Sequence, residues 1–203
     1  MRKLKLSHRI AGAVLLATTG LGAGVVFGLS AQANATVRSH TASTAVGLYM
    51  ESTTPSLGGS STGLSGAQDI ESYSIGSSNR YSFTGSGISG DKAVEGDLSV
   101  QFADSQISPR FLTATGVGSS YGTLSIVVTK SDSGILYDAE TLELSQAHVT
   151  SFTQAGAGGS DQVATVSFVY AAIKETIQSV KSGELQTPVV SSWNYVKNNT
   201  TFP

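Results

Sequence analysis

Few groups in this sequence stand where they could do covalent chemistry. Gly59-Ser60-Ser61-Thr62-Gly63 and Gly118-Ser119-Ser120-Tyr121-Gly122 both match G-x-S-x-G, the pattern that exposes a serine nucleophile on a strand-turn-helix elbow. Ser120 falls instead between a predicted helix and a predicted strand, the reverse order. Ser61 lies in a Gly/Ser-rich stretch where such matches arise by chance. Beyond the N-terminal segment the histidines are His40 and His148, far apart and without a carboxylate at ligand spacing, a poor metal pair. His148 reads as a partly buried strand residue with a backbone partner rather than a general base. Asp91, Glu95 and Asp97 could attract a calcium ion, but they lack the regular ligand series of an EF-hand, and a solvated acidic turn is the better reading. Gly85 to Gly90 matches G-x-G-x-x-G after a strand. Another strand follows it, so no helix N-terminus is on offer to a pyrophosphate. There is no cysteine, which excludes disulfides, thiolate metal sites and thiol nucleophiles. The expectation is no catalytic residue, no metal and no cofactor.

The elements that position these residues begin after an export segment. Arg2, Lys3, Lys5 and Arg9 precede a charge-free run from Ile10 to Leu29, and Ala33-Asn34-Ala35 offers a small-x-small cleavage site before Thr36. Residues 1–35 therefore read as a secretory signal peptide. An uncleaved anchor is the alternative, because the run approaches the ~20 residues that span a bilayer. Cleavage would leave eight basic and fourteen acidic residues, a net charge of −6 against the −2 of the whole chain. An acidic domain without a Lys/Arg cluster is a poor partner for nucleic acid or, once cleaved, for an anionic membrane surface. The predicted destination is extracellular.

Charged residues make up 13% of the chain, and Gly, Ser and Thr are abundant, a composition that suits an all-β domain with many turns. The clearest alternation is in Asp161 to Ile177, where Ala164, Val166, Phe168, Tyr170 and Ala172 share one face; it predicts one strand continuing to Ile177. Val46, Leu48 and Met50 predict a first strand, and Ser52 to Gly66 a long flexible loop. Asp69 to Phe83 reads as a strand with an irregularity near Gly76 to Asn79, Gly85 to Asp91 as a turn, and Leu98, Val100 and Phe102 as a half-buried strand. A short helix follows, with Ser108 as N-cap, Pro109 at its first position, Phe111 and Leu112 docking it, and Gly116 as its stop. Leu124 to Thr129 and Ile135 to Thr153 form a hairpin about Ser131-Asp132-Ser133-Gly134, with a bulge expected near Ser145-Gln146 where the apolar parity changes. Thr187 to Pro203 reads as an extended tail.

In this order the segments G-L-Y-M-E-S, D-I-E-S-Y-S-I-G, D-L-S-V-Q-F, S-P-R-F-L-T-A-T-G and V-S-F-V-Y-A-A-I resemble the haemolysin-coregulated protein (Hcp) family, the ring-forming tube proteins of type VI secretion. The resemblance covers roughly Gly47 to Ile177. It implies a mainly β fold, a compact barrel of two sheets with one short flanking helix, and a homohexameric ring. The family's long loop after the first strand reaches a neighbouring ring, which maps here to Ser52 to Gly66, with Ser52, Pro55, Leu57 and Leu64 as contacts. Family members carry no cleavable signal, and in that this chain differs. The expected organisation is signal peptide 1–35, leader 36–45, barrel 46–182 and C-terminal extension 183–203. The expected role is that of a secreted non-enzymatic structural or carrier protein, with itself and a secreted cargo or surface protein as partners. The alternatives are a monomeric binding module acting through Ser52 to Gly66 and, more remotely, an extracellular hydrolase at Ser61 or Ser120.

Overall fold

Period-two alternation with one buried face becomes a ladder of antiparallel strands. The computed structural model describes residues 46–52, 54–85, 87–158 and 161–203. The predicted signal segment, its cleavage site at Ala33, Ala35 and Thr36, and the leader with His40 lie outside them. The described chain forms β1 (Gly47–Ser52), β2 (Gln68–Asp69), β3 (Ser72–Ser74), β4 (Ser77–Ser78), β5 (Tyr81–Thr84), β6 (Gly87–Gly90), β7 (Val94–Glu95) and β8 (Leu98–Ala103). The helix α1 (Ser108–Val117) follows, then β9 (Ser120–Asp132), β10 (Ile135–Ala155), β11 (Val163–Val169), β12 (Ala172–Ile177), β13 (Val180–Lys181), β14 (Glu184–Leu185) and β15 (Val189–Asn194).

Nine of these strands form one sheet in the order β2-β1-β9-β10-β11-β8-β3, with β12 and then β15 branching from β10. The 21-residue β10 turns that sheet into two wings. Its residues 140–145 pair with β12 and its residues 148–155 with β11, while β9 follows its other edge. At the changeover Gln146 adopts φ 53°, so Leu142 and Leu144 face the core before it and Ala147 and Val149 after it. Register against β9 is unbroken from Glu140 to His148. The parity change expected near Ser145-Gln146 is thus made by a left-handed residue. The extra residues of true bulges lie at 139 against β9 and 150 against β11. Opposite Gln146 the segment predicted as one strand breaks at Tyr170-Ala171, where the Ala171 N–H donates to Ser145 O at 2.9 Å. There the chain passes from one wing to the other, and each half keeps its own ladder.

The wings meet over a core in which Leu98, Val100 and Phe102 of β8 pair with Phe168, Val166 and Ala164 of β11, all fully buried. Phe111 of α1 closes it. Its ring lies 5.8 to 6.3 Å from those of Phe102, Tyr121, Phe152 and Phe168. The N-cap is Ile107 and not Ser108, because the buried Ser108 hydroxyl is engaged with Asp104 and with the Ser105 N–H. Gly118 at φ 69° ends the helix, donating to Ala114 O at 2.9 Å, so Gly116 is interior. Leu112 is exposed: the buried positions 108, 111 and 114 form a single stripe, and residue 112 is turned about 100° from Phe111.

The hairpin between β9 and β10 turns at Ser133 (φ 51°) and Gly134 (φ 80°), the pair of positive φ values that a two-residue type I′ loop requires. The tail is not an appendage. All six residues of β15 pair with β12, and Tyr195 packs edge-on to Tyr170 at 5.8 Å, so the sheet runs past the expected boundary at 182 as far as Asn194.

Candidate assembly surface

The segment Ser52 to Gly66 reads in sequence as a long flexible loop; its residues 54–66 are folded back on the barrel. Leu57 is fully buried within the core. Leu64 packs over Tyr49, Ala67 and Val127 on the outer face of β1. Backbone bonds from Gly59 N to Gly66 O (3.2 Å) and from Ser61 N to Ala67 O (3.0 Å) close the loop upon itself. Its glycines serve close approach: a Cβ on Gly59 would fall inside the Ala67 carbonyl, and one on Gly63 would overlap the Tyr49 phenol. Of the expected contacts Ser52 and Leu57 are buried, Leu64 is half-buried, and Pro55 alone is exposed. Composition suggested flexibility because the anchoring leucines are few and the glycines many.

What projects instead is an arm running from Gly76 to Gly96. The Gly96 N–H donates to Gly76 O at 2.8 Å, β4 pairs with β7, and after a one-residue shift β5 pairs with β6. Among the described residues these strands pair with one another and with no other strand. Cross-strand register sets Tyr81 opposite Gly90 and Phe83 opposite Ile88 on one face, and Ser82 opposite Ser89 on the other. The apolar face is turned outward: Tyr81 is 61% exposed, Phe83 79% and Ile88 69%. The region expected as strand, irregularity and turn is therefore a bulged hairpin. The G-x-G-x-x-G match supplies its tip and returning strand, and no helix follows.

A second open feature is β15. One side of it pairs with β12. Among the described residues the other is engaged toward its end, where Asn194 bridges to Asn199 and the Ser192 hydroxyl donates to Thr200 O at 2.6 Å. Val189 and Val190 are exposed.

With strand order and arm in place, comparison with solved structures is decisive for the fold. A structure described as that of a type six secretion system protein superposes with a TM-score of 0.70 at 18% identity, over 77% of this chain and all of that one. Hcp1 from Salmonella typhimurium gives 0.62 at 12% identity over 76% of this chain and 98% of its own. The fold is that of the Hcp proteins. Hcp1 from E. coli EAEC 042 agrees, with a TM-score of 0.59 at 14% identity over 74% of this chain and 99% of its own. No protein-family model matches the sequence, and no curated protein matches it. The likeness to Hcp lies in the path of the chain more than in residue identity.

The Hcp-like barrel also places the groups that could do chemistry. The Ser61 hydroxyl donates to Asp69 Oδ1 at 2.6 Å and accepts the Gly63 and Leu64 N–H groups at 3.1 and 3.2 Å, a hydroxyl-stabilised turn that holds the loop. Ser120 stands opposite His148 in the β9–β10 ladder, on a strand rather than at a helix N-terminus. His148 is exposed, against the expectation of partial burial, because the left-handed Gln146 places Ala147 and Val149 inward. Among the described residues no three His, Asp or Glu side chains are grouped to hold a metal ion. No described helix is long and apolar enough to cross a membrane.

Proposed function

We propose that this chain is a secreted, non-enzymatic structural protein that associates with its own copies into rings, exported by cleavage before Thr36. The observation that carries the reading is the stripe of Tyr81, Phe83 and Ile88 on an arm without internal cover. A two-stranded hairpin alone is marginal in water, and covering each such side chain is worth about 1.5–3 kcal/mol. None of the three belongs to a core cluster of the described residues, which favours cover by another molecule. The Hcp-like fold supports a second copy as that molecule. An arm of one copy meeting a different surface of the next is a heterologous contact, which closes into a ring when the rotation per subunit divides a full turn. The open stretch of β15 at Val189 and Val190 offers edge pairing for the same purpose. A six-fold ring is the expected closure. Recognition of a separate protein by a monomer through residues 52–66 is less supported, since the leucines of that loop are turned inward.

Negative-stain microscopy of purified residues 36–203 tests the proposal. Ring-shaped particles with six-fold averages support it. A uniform field of single barrels at concentrations well above those of the cell medium counts against it.

A further inference from the structure

A cavity of about 480 Å³ opens between α1 and the loop of residues 55–57, within the size range of small-molecule sites. Most of its wall is apolar, with Leu57, Ile107, Phe111 and Ala114 among the residues that line it. The Arg110 guanidinium is the one charged group in this lining, and Tyr121, Ser56, Thr113 and Ser119 add hydroxyls. Arg110 is held in place: its Nη1 donates to Leu57 O at 2.6 Å, and a Cβ on Gly58 would meet the same nitrogen at 2.5 Å. That bond uses one of five N–H donors. Among the described residues no carboxylate forms an ion pair with Arg110 and no group hydrogen-bonds the Tyr121 hydroxyl. Both groups line the one cavity; burial pushes the Tyr121 phenol above its ordinary pKa while the charge of Arg110 pulls it down. No acidic side chain lines the cavity.

We propose that this cavity binds a small amphipathic carboxylic acid, its carboxylate accepting hydrogen bonds from Arg110 and Tyr121 and its apolar body lying against Leu57, Ile107 and Phe111. A guanidinium tethered to the Leu57 carbonyl and a phenol in the same lining complement a single anionic acceptor. The apolar side chains of Leu57, Ile107, Phe111 and Ala114 favour a hydrocarbon or aryl chain over a wholly polar ligand. This site lies on α1 and the 55–57 loop, and it stands whether or not the arm mediates assembly.

Isothermal calorimetry of the full chain with octanoate, and with octanol as the same tail lacking the carboxylate, tests it. The expected result is saturable octanoate binding that is at least about tenfold tighter than that of octanol. Tyr121→Phe keeps the ring packing and should weaken octanoate by about tenfold, with octanol unchanged. Arg110→Gln should weaken it further. Circular dichroism on both variants checks that the barrel persists, and Tyr121→Phe carries the test should Arg110→Gln loosen the loop. Equal affinity for octanol, no octanoate heat from the folded chain, or octanoate binding indifferent to Tyr121→Phe overturns the proposal. Expulsion of octanoate on self-association, with a neighbouring copy seated in the cavity, would assign the site to that copy and overturn it equally.

Discussion

Phe83 and Ile88 face each other across the β5–β6 hairpin, and both side chains are turned to solvent. Such a cross-strand pair ordinarily stabilises a sheet, and here neither residue joins a core cluster of the described residues. Phe83→Asp should therefore leave barrel stability within about 0.5 kcal/mol of the parent. It should lower the self-association constant by about tenfold to a hundredfold at each interface that the phenylalanine enters. Sedimentation velocity over a concentration series, with thermal unfolding of the dissociated species as control, measures both quantities.

The helix separates two residues that composition alone treats alike. Phe111 is fully buried among four aromatic rings and Leu112 is exposed. Phe111→Ala should cost about 3–5 kcal/mol, whereas Leu112→Ala should stay within about 0.5 kcal/mol. Gly116, interior to the helix and with open space where a Cβ would stand, gives the opposite sign: Gly116→Ala should stabilise by about 0.5–1 kcal/mol. Urea unfolding of the three variants distinguishes these outcomes.

For the loop of residues 54–66 the informative position is Gly59, whose added Cβ would collide with backbone of Ala67 and Gln68. Backbone cannot rotate away as a side chain can. Gly59→Ala should destabilise by about 1–3 kcal/mol, and limited proteolysis should then cut within the loop before the barrel. Equal protease resistance in parent and variant would mean that the loop does not need its folded-back path.

Asp104 ties the end of β8 to the start of α1 and the end of β10. Hydrogen bonds from Ser108 and from Gln154, the latter at 2.9 Å, hold its carboxyl below the ordinary value of 3.8. A carboxylate whose folded pKa is depressed contributes stability that is present above the unfolded value and lost as pH falls through the folded one. The difference in stability between the parent and Asp104→Asn should be constant at neutral pH and shrink below about pH 4. Denaturant midpoints across that range measure it; a gap that persists in acid would assign the effect to geometry instead of charge.

How much of this was legible in sequence follows from what each side chain meets. Leu98, Val100 and Phe102, like Ala164, Val166 and Phe168, alternate strictly because each strand has one buried face, and their strands lie where alternation put them. The turn at Ser133-Gly134 announced itself by residue type. Gln146 did not, since an amide side chain carries no sign of a left-handed backbone, and the break at Tyr170-Ala171 was hidden because apolar residues continue through it. The exposure of the arm was hidden for a physical reason. Tyr81 and Phe83 alternate like core residues, and only the pairing of β5 with β6 alone shows that their face meets solvent. The Gly/Ser stretch 52–66 looked like an exposed arm, although Leu57 and close-approach glycines bind it to the barrel.

The central claim is that the exposed arm joins copies of this chain. Its most direct test is the mass of residues 36–203 in solution, with Phe83→Asp alongside. The account predicts a concentration-dependent species at a whole multiple of the monomer, six-fold on closure of the ring, that dissociates in the variant. A single monomeric mass for the parent at high concentration, or an oligomer that Phe83→Asp leaves intact, would contradict it.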